Sequence, residues 1–335
     1  MANTIRSRIL GVGYYVPPRV DTNNDLAKLM DTSDEWIVQR TGIKQRHYAD
    51  STMTNADMGV EAAKHALDMA GLKKEDVDFI IYATLSPDHE FPGNGCFFQA
   101  KMGIPGVPAL DVRNQCTGFL YGLQIADALV RTGQYKRVLC VGGELHSRGL
   151  DLTTRGRDVS VLFGDGAGAA IVGPSDDPNR GILSVHTHAD GTHAKELWLE
   201  APGCAHTPHR ISHEMIEDGR IFPKMNGKAV FVHAVRRMPE VLNEALKHNG
   251  FSIKDLDLLV PHQANMRINE AVGQALGLPK EKVFNTIDRF GNTTAATLPI
   301  GLTEAVTAGA LKPGMLVGLV AFGSGFTWGS ALMRW

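Results

Sequence analysis

Short, continuously apolar runs alternate in this chain with longer stretches whose apolar residues return every third or fourth position, the pattern of buried strands between amphipathic helices. Strands are predicted at 9–12, 77–83, 107–110, 137–142, 169–172 and 256–260. Helical spacing runs over 55–69, with Met58, Ala62, Ala66 and Leu67 on one face and Gly71 as the stop. It returns in Phe119, Leu120, Leu123, Ala126, Leu129 and Val130, closed by Gly133, and again over 298–308. Asn24 predicts the cap of a short helix carrying Leu26, Leu29 and Met30, and Thr32 with Glu35 has capping-box spacing. Residues 13–18 read as a loop. The stretch 197–225 keeps neither period and predicts a long loop that covers or shapes a pocket.

The pattern also repeats. Gly71-Leu72-Lys73-Lys74-Glu75-Asp76-Val77-Asp78 resembles Gly250-Phe251-Ser252-Ile253-Lys254-Asp255-Leu256-Asp257, an offset of 250 − 71 = 179 residues. Without a gap, that offset sets Gly122 on Gly301, Ala126 on Ala305, and Val138 and Val141 on Val317 and Val320. An α/β protein of two like halves follows, divided into residues 1–173 and 174–335. Ala83 then falls on His262, and the turn around Cys116 falls near 292–296. A pseudo-twofold axis would gather Cys116, His262 and Asn292 at strand ends, where open α/β sheets form their sites.

At 335 residues the chain has length for a large core, and a net charge of −2 without a basic run gives no footing for nucleic acid. Four cysteines in so long a chain make no disulfide framework, which suits a reducing compartment. Residues 1–20 lack the apolar core of a signal peptide, and no apolar run approaches membrane-spanning length. A soluble, cytoplasmic protein is expected, with neither membrane nor nucleic acid as partner. Gly11-Val12-Gly13 lacks the third glycine of a dinucleotide site. Gly164-Asp165-Gly166-Ala167-Gly168 enters a strand, so close backbone packing explains it better than phosphate binding.

Cys116 lies between a predicted strand and a predicted helix, where unpaired N–H groups and the positive end of the helix dipole favour a thiolate. A small buried apolar residue fits the same position, as does Cys140 within its strand. His262 directly follows the strand 256–260, Asn292 lies in a polar turn before a helix, and 322–329 is a glycine-dense turn whose N–H groups suit an oxyanion. Trp36, with acidic and basic neighbours, is either core or a stacking face. The histidines at 186, 188, 193, 206, 209 and 213 match no metal-binding spacing, so no metal is expected.

With these motifs in hand, the chain resembles the β-ketoacyl-acyl carrier protein synthase III family of thiolase-like condensing enzymes over essentially its whole length. The matching stretches are Thr32-Ser33-Asp34-Glu35-Trp36-Ile37 with Arg40-Thr41-Gly42-Ile43, Cys116-Thr117-Gly118-Phe119, and Phe163-Gly164-Asp165-Gly166-Ala167-Gly168-Ala169. Val260-Pro261-His262-Gln263-Ala264-Asn265, Gly291-Asn292-Thr293 and Gly325-Phe326-Thr327-Trp328-Gly329-Ser330-Ala331 complete them. The resemblance implies a five-layered αβαβα sandwich of two pseudo-repeated halves, a homodimer, and no bound cofactor. It implies Cys116 as the acylated nucleophile with His262 and Asn292 as partners, and backbone N–H groups of Cys116 and Ser324 as the oxyanion site. Trp36 and Arg155 look like the pair that holds the adenine of coenzyme A, with Thr32, Arg40 and Asn265 along the same arm. Phe91 matches a residue lining the partner subunit's acyl pocket, and Arg267 a carrier-protein docking position.

The implied reaction is a decarboxylative Claisen condensation of an acyl-CoA with malonyl-acyl carrier protein, starting fatty acid synthesis. Departures from the better-known members are Asn114-Gln115 before the cysteine, Ser324 for glycine, a long 201–228 segment, and Val232 where a docking lysine is common. They leave a specialised condensing enzyme or plain acyltransferase as the alternative. A non-catalytic carrier-binding subunit is the rival of another class.

Overall fold

A computed structural model describes residues 6–335, so the first five residues of the stretch read above for a signal peptide lie outside the described residues. β1 (Ser7–Tyr15), β2 (Phe79–Ala83), β3 (Ala109–Val112), β4 (Val138–Glu144) and β5 (Gly166–Pro174) form one sheet in the order β1-β5-β4-β2-β3. In the second half β6 (Gly181–Ala189) is followed by a two-stranded ribbon, β7 (Leu197–Trp198) with β8 (Lys224–Met225), and then by β9 (Leu258–Pro261), β10 (Leu316–Gly323) and β11 (Thr327–Arg334). The second sheet runs β9-β10-β11-β6, and Leu259 also bridges Val283 in parallel. That bridge stands where β3 stands in the first sheet. The pairings match too: β2–β4 and β9–β10 are parallel, and the next two pairs in each sheet are antiparallel.

Side-chain alternation along the strands builds the layers. Ile81, Cys140, Ala170, Val260 and Leu319 share one core with Phe119, Leu120 and Leu123 of α4 (Gly118–Arg131) and with Leu298 and Leu302 of α7 (Thr297–Thr307). Their strand neighbours Ile80, Tyr82, Leu139 and Val141 turn the other way, onto α2 (Asn55–Ala70) and α3 (Asn94–Met102). In the second sheet Leu259, Val320 and Leu332 face α5 (Gly227–His248) and α6 (Met266–Leu276). Both faces of the central strands β4, β5, β9 and β10 are buried, so these strands read as continuous apolar runs. The result is the five-layered αβαβα sandwich. Phe119, Leu120 and Leu123 are each exposed by 1% or less, and burying such a side chain contributes about 2 kcal/mol.

Several element ends differ from the reading by sequence. β1 continues past Val12 to Tyr15, because it stays paired with β5 through a register shift after Ile9. The strand expected at 107–110 is displaced to β3, since Pro108 has no N–H to give a ladder. Thr22, not Asn24, caps the short helix Asn23–Leu26, in a capping box with Asp25. Ser33, not Thr32, caps α1 (Asp34–Thr41), accepting from the Trp36 N–H. Asn55–Ala70 and its closing Gly71, with φ at +65°, follow the prediction closely.

Candidate active site

Cys116 lies in the 3-10 turn Gln115–Thr117 that joins β3 to α4. Gln115 has φ of +43° and Thr294 has φ of +46°. Their separation, 294 − 115 = 179, is the repeat offset, so each half carries the same strained elbow. Positive φ at a non-glycine residue costs about 1–3 kcal/mol, and such strain is characteristic of turns that present a side chain. The Cys116 side chain packs over the end of β10, where a Cβ added at Gly323 would lie 2.6 Å from its Cβ and 3.1 Å from Sγ. Glycine is required there by close approach. Ser324, next in the chain, is not among the positive-φ residues, so serine is unstrained there.

Cys116 does not rest as the thiolate that a helix start favours. Burial pushes the Cys116 thiol up to about 12, and the buried carboxylate of Glu144 pushes the same way. The backbone N–H groups of Cys116 and Ser324 pull it down by less. Desolvation outweighs the dipole, because Cys116 is 7% exposed.

His262 follows β9, 2% exposed, with its backbone N–H donating to Val320 at 2.8 Å. Its Nδ1 lies 2.7 Å from the Thr297 hydroxyl, which donates its own hydrogen to the Thr294 carbonyl at 2.9 Å. Thr297 has one hydrogen, so Nδ1 must be the donor to it and Nε2 is left as a bare acceptor. Nε2 has no protein partner, and burial pushes the imidazole down to about 3, so it is neutral at neutral pH. Asn292 is anchored by its backbone to Leu162 and Gly164. Its side-chain Oδ1 accepts from the Thr294 N–H at 2.9 Å, which leaves the amide Nδ2 to donate.

These three side chains line one cavity of about 360 Å³, together with Trp36, Arg40 and Asn265. A second cavity, of about 550 Å³, opens on the other side of Cys116. Cys116, Phe163 and Leu197 belong to both. Cys116 therefore sits at a seam between two chambers. The irregular stretch 197–225 does shape a pocket: Trp198, Ile221 and Pro223 line the second cavity and Met225 the first.

Trp36 lies beneath two guanidinium groups, Arg40 at 4.3 Å and Arg157 at 4.8 Å from its ring centroid. Arg155 is turned away from it. Its Nε binds Asp151 at 2.6 Å, and its guanidinium rests over Phe222. Thr32 carries a buried hydroxyl without a partner. Asn265 caps α6 by accepting from the Arg267 N–H and donates to the Arg40 carbonyl at 3.0 Å, tying α6 to α1. Arg267 is exposed beside Phe231, and Phe91 is 82% exposed on the loop after β2.

Sequence reasoning missed Glu144, Thr297 and Arg157. Glu144 ends β4, fully buried, and accepts from Ser86 Oγ at 2.5 Å, the Leu85 N–H and the Thr84 hydroxyl. Burial raises its carboxyl to about 7. The apolar run predicts a strand end at Gly142, whereas pairing carries β4 two residues further to Glu144, a lone acidic residue that gives no signal in the sequence. The histidines are spread over the second half: His186 and His188 bind Glu244, and His193 stacks on Phe326.

The matches to known proteins decide the family. Residues 110–191 match the model of 3-oxoacyl-(acyl-carrier-protein) synthase III, and residues 246–335 match the model of its C-terminal part. The chain is 47% identical over 328 residues to β-ketoacyl-(acyl-carrier-protein) synthase III 1 of Vibrio vulnificus, covering 98% of this chain and 99% of that protein. The chain belongs to the 3-oxoacyl-(acyl-carrier-protein) synthase III family. The synthase III of Escherichia coli K12 is 46% identical over the same share of both chains. The crystal structure of the Aquifex aeolicus synthase III superposes with a TM-score of 0.89 at 42% identity, covering 98% of this chain and 100% of that one. The fold is thus the thiolase-like one of synthase III, and the protein is a condensing enzyme of acyltransferase type. No helix among the described residues is long and apolar enough to cross a membrane.

Proposed function

We propose that the chain joins an acyl-CoA primer to malonyl-acyl carrier protein through an acyl group held on Cys116, the first condensation of fatty acid synthesis. The observation that carries this reading is a buried thiol at the seam of two cavities, with an unpartnered imidazole nitrogen and a free amide donor in one of them. Cys116 attacks the thioester carbonyl, and its proton passes to the bare Nε2 of His262 and on to the departing CoA sulfur. The N–H groups of Cys116 and Ser324, already turned toward Sγ, support the oxyanion. Malonyl thioester then enters the emptied cavity and loses carbon dioxide. The enolate oxygen accepts from Asn292 Nδ2 and from His262 Nε2, once the imidazole has exchanged its proton from Nδ1 to Nε2 through solvent and the Thr297 hydroxyl has turned from the Thr294 carbonyl to donate to Nδ1. The carbanion attacks acyl-Cys116, and the thiolate released takes up the one proton that each cycle consumes from solvent.

Trp36, Arg40, Asn265 and Thr32 border the route by which a CoA or carrier arm reaches Cys116. Arg155 joins Trp36 around the adenine once released from Asp151, and Arg267 meets the carrier protein. The exposed Phe91 reaches the acyl cavity of a second copy, in a homodimer whose subunits each divide near residue 173. No bound cofactor enters these steps. Intact-protein mass spectrometry tests the scheme. A Cys116-dependent acyl adduct is expected, absent in Cys116→Ala, while Asn292→Ala is expected to acylate normally and to release carbon dioxide from malonyl thioester slowly. Normal acyl transfer with no carbon dioxide would move the assignment to a plain acyltransferase. A wild type that never acylates would revive the non-catalytic reading.

A further inference from the structure

We propose that His146 is a positioning residue for the condensation, holding Thr294 so that both enolate hydrogen-bond donors, the Asn292 amide and the His262 imidazole, stay aimed at one point; this rests on the condensing-enzyme reading above. His146 lies two residues beyond the end of β4 and is 7% exposed, with its Nε2 at 2.7 Å from the Thr294 hydroxyl. An imidazole buried this far costs free energy unless a polar partner meets it, and Thr294 is that partner.

Thr294 is a hub. It is fully buried, and its φ of +46° is one that a β-branched residue resists. Each of its polar groups is engaged by a different residue. The hydroxyl meets His146. The N–H donates to Asn292 Oδ1 at 2.9 Å, the bond that leaves the amide Nδ2 to donate. The carbonyl accepts from the N–H and the hydroxyl of Thr297, and that same hydroxyl meets His262 Nδ1 at 2.7 Å. A turn of Thr294 therefore disturbs both donors at once. His146 bears on Asn292 by a second route as well. Its ring packs on Phe163 with centroids 4.6 Å apart, and Phe163 forms a parallel bridge with Asn292.

The backbone of His146 is fixed on both sides. The Leu145 N–H donates to Ser86 Oγ at 2.9 Å, and the N–H and hydroxyl of Ser147 donate to Asp165 at 2.9 and 2.6 Å. The repeat gives the other elbow no such support. The offset sets Thr294 on Gln115 and His146 on Gly325, since 325 − 146 = 179, and glycine has no side chain to offer. The support belongs to the elbow that carries the enolate donors. Burial pushes the His146 imidazole down to about 3, so it is neutral at neutral pH and holds Thr294 without taking up a proton.

The step served is loss of carbon dioxide from the malonyl thioester. The bond from the α-carbon to the carboxylate breaks, its electron pair passes into the enolate, and the thioester oxygen takes the negative charge against Asn292 and His262. Loading of Cys116 makes no use of the Asn292 amide.

The test separates the two steps in the full-length protein in its native oligomeric state. Loading from acetyl-, butyryl- and octanoyl-CoA is read by intact mass, and carbon dioxide release is measured with malonyl-acyl carrier protein. His146→Leu should lower kcat for carbon dioxide release by about ten- to a hundredfold at unchanged KM, and slow loading by less than about threefold. His146→Gln, whose amide both donates and accepts, should recover most of the rate at an unchanged pH profile. Thr294→Val removes the same bond from its other end and should match His146→Leu, while the double variant should be no slower than the slower single one. If His146→Leu lacks a cooperative melt, Thr294→Val carries the test, with Thr294→Ser as its rescue. Equal loss of loading and release, no recovery in the rescue variants, additive losses in the double variant or a shifted pH profile would each overturn the positioning role and leave the condensing reading standing. A wild type that loads but releases no carbon dioxide would overturn the condensing reading, and this inference with it.

Discussion

Replacing Glu144 with Gln removes one buried negative charge, and the structure fixes what that should do to stability. Burial raises the carboxyl from 4.5 to about 7, against hydrogen bonds from Ser86, Leu85, Ala295 and Thr84 that favour its charged form. The unfolded chain ionises it near 4.5. Between those two values the folded state holds a proton that the unfolded state has lost, so the stability this group confers falls as pH rises through the window and is flat above it. The slope is about 1.4 kcal/mol per pH unit, and the whole effect about 3 kcal/mol. His146 and His262 slope the opposite way, since burial depresses each to about 3. The wild-type curve alone therefore does not isolate Glu144, but its difference from Glu144→Gln does. Urea unfolding from about pH 5 to about pH 8 should show the difference moving in the variant's favour by about 3 kcal/mol. Because Glu144 also raises the Cys116 thiol, the pH midpoint of Cys116 alkylation should move down in the same variant. Parallel stability curves with an unmoved alkylation midpoint would refute the reasoning.

Three further outcomes are expected. His146 and His262 confer stability that is complete above pH 6.5 and is lost as pH falls toward 3, by about 1.4 kcal/mol per unit each, so thermal melts should drop steeply from pH 6.5 downward; a flat acid limb would contradict their burial as neutral imidazoles. Thr297→Val keeps the shape but strands the Nδ1 hydrogen of His262, at a cost of about 1–3 kcal/mol. Condensation should slow about tenfold or more at unchanged KM and recover in Thr297→Ser, whereas equal loss in the serine variant would show that the hydroxyl is not what matters. Gly323→Ala drives a methyl to within 2.6 Å of the Cys116 Cβ and should lower Tm and abolish acylation. A stable, fully acylating variant would mean that the elbow has room to move.

The two-sheet architecture was readable because burial on both strand faces writes itself as continuous apolar runs, and because those runs recur at one offset. The convergence of Cys116, His262 and Asn292 on one cavity was readable from the same offset, which sets the turn around Cys116 on residues 292–296. What escaped was the content of the shell around them. Thr297 looks like an ordinary helix-start residue, yet the direction of its single hydrogen decides which imidazole nitrogen carries the proton. The thiolate expectation failed because a dipole is legible in sequence and desolvation is not.

The repeat itself explains why the two elbows differ in chemistry. Under the offset, Cys116 corresponds to Ala295, since 295 − 116 = 179, and Glu144 to Gly323, since 323 − 144 = 179. In the structure each strand end meets the elbow of the opposite half: Gly323 lies against Cys116, and Glu144 takes a hydrogen bond from the Ala295 N–H. One strand end gives up its side chain so that a sulfur can stand there. The other fills the equivalent space with a carboxylate that braces the wall of the second cavity through Leu85 and Ser86. The symmetry thus supplies two equivalent pockets, and different residues at two positions, the elbow and the strand end that meets it, give one a thiol and the other a carboxylate.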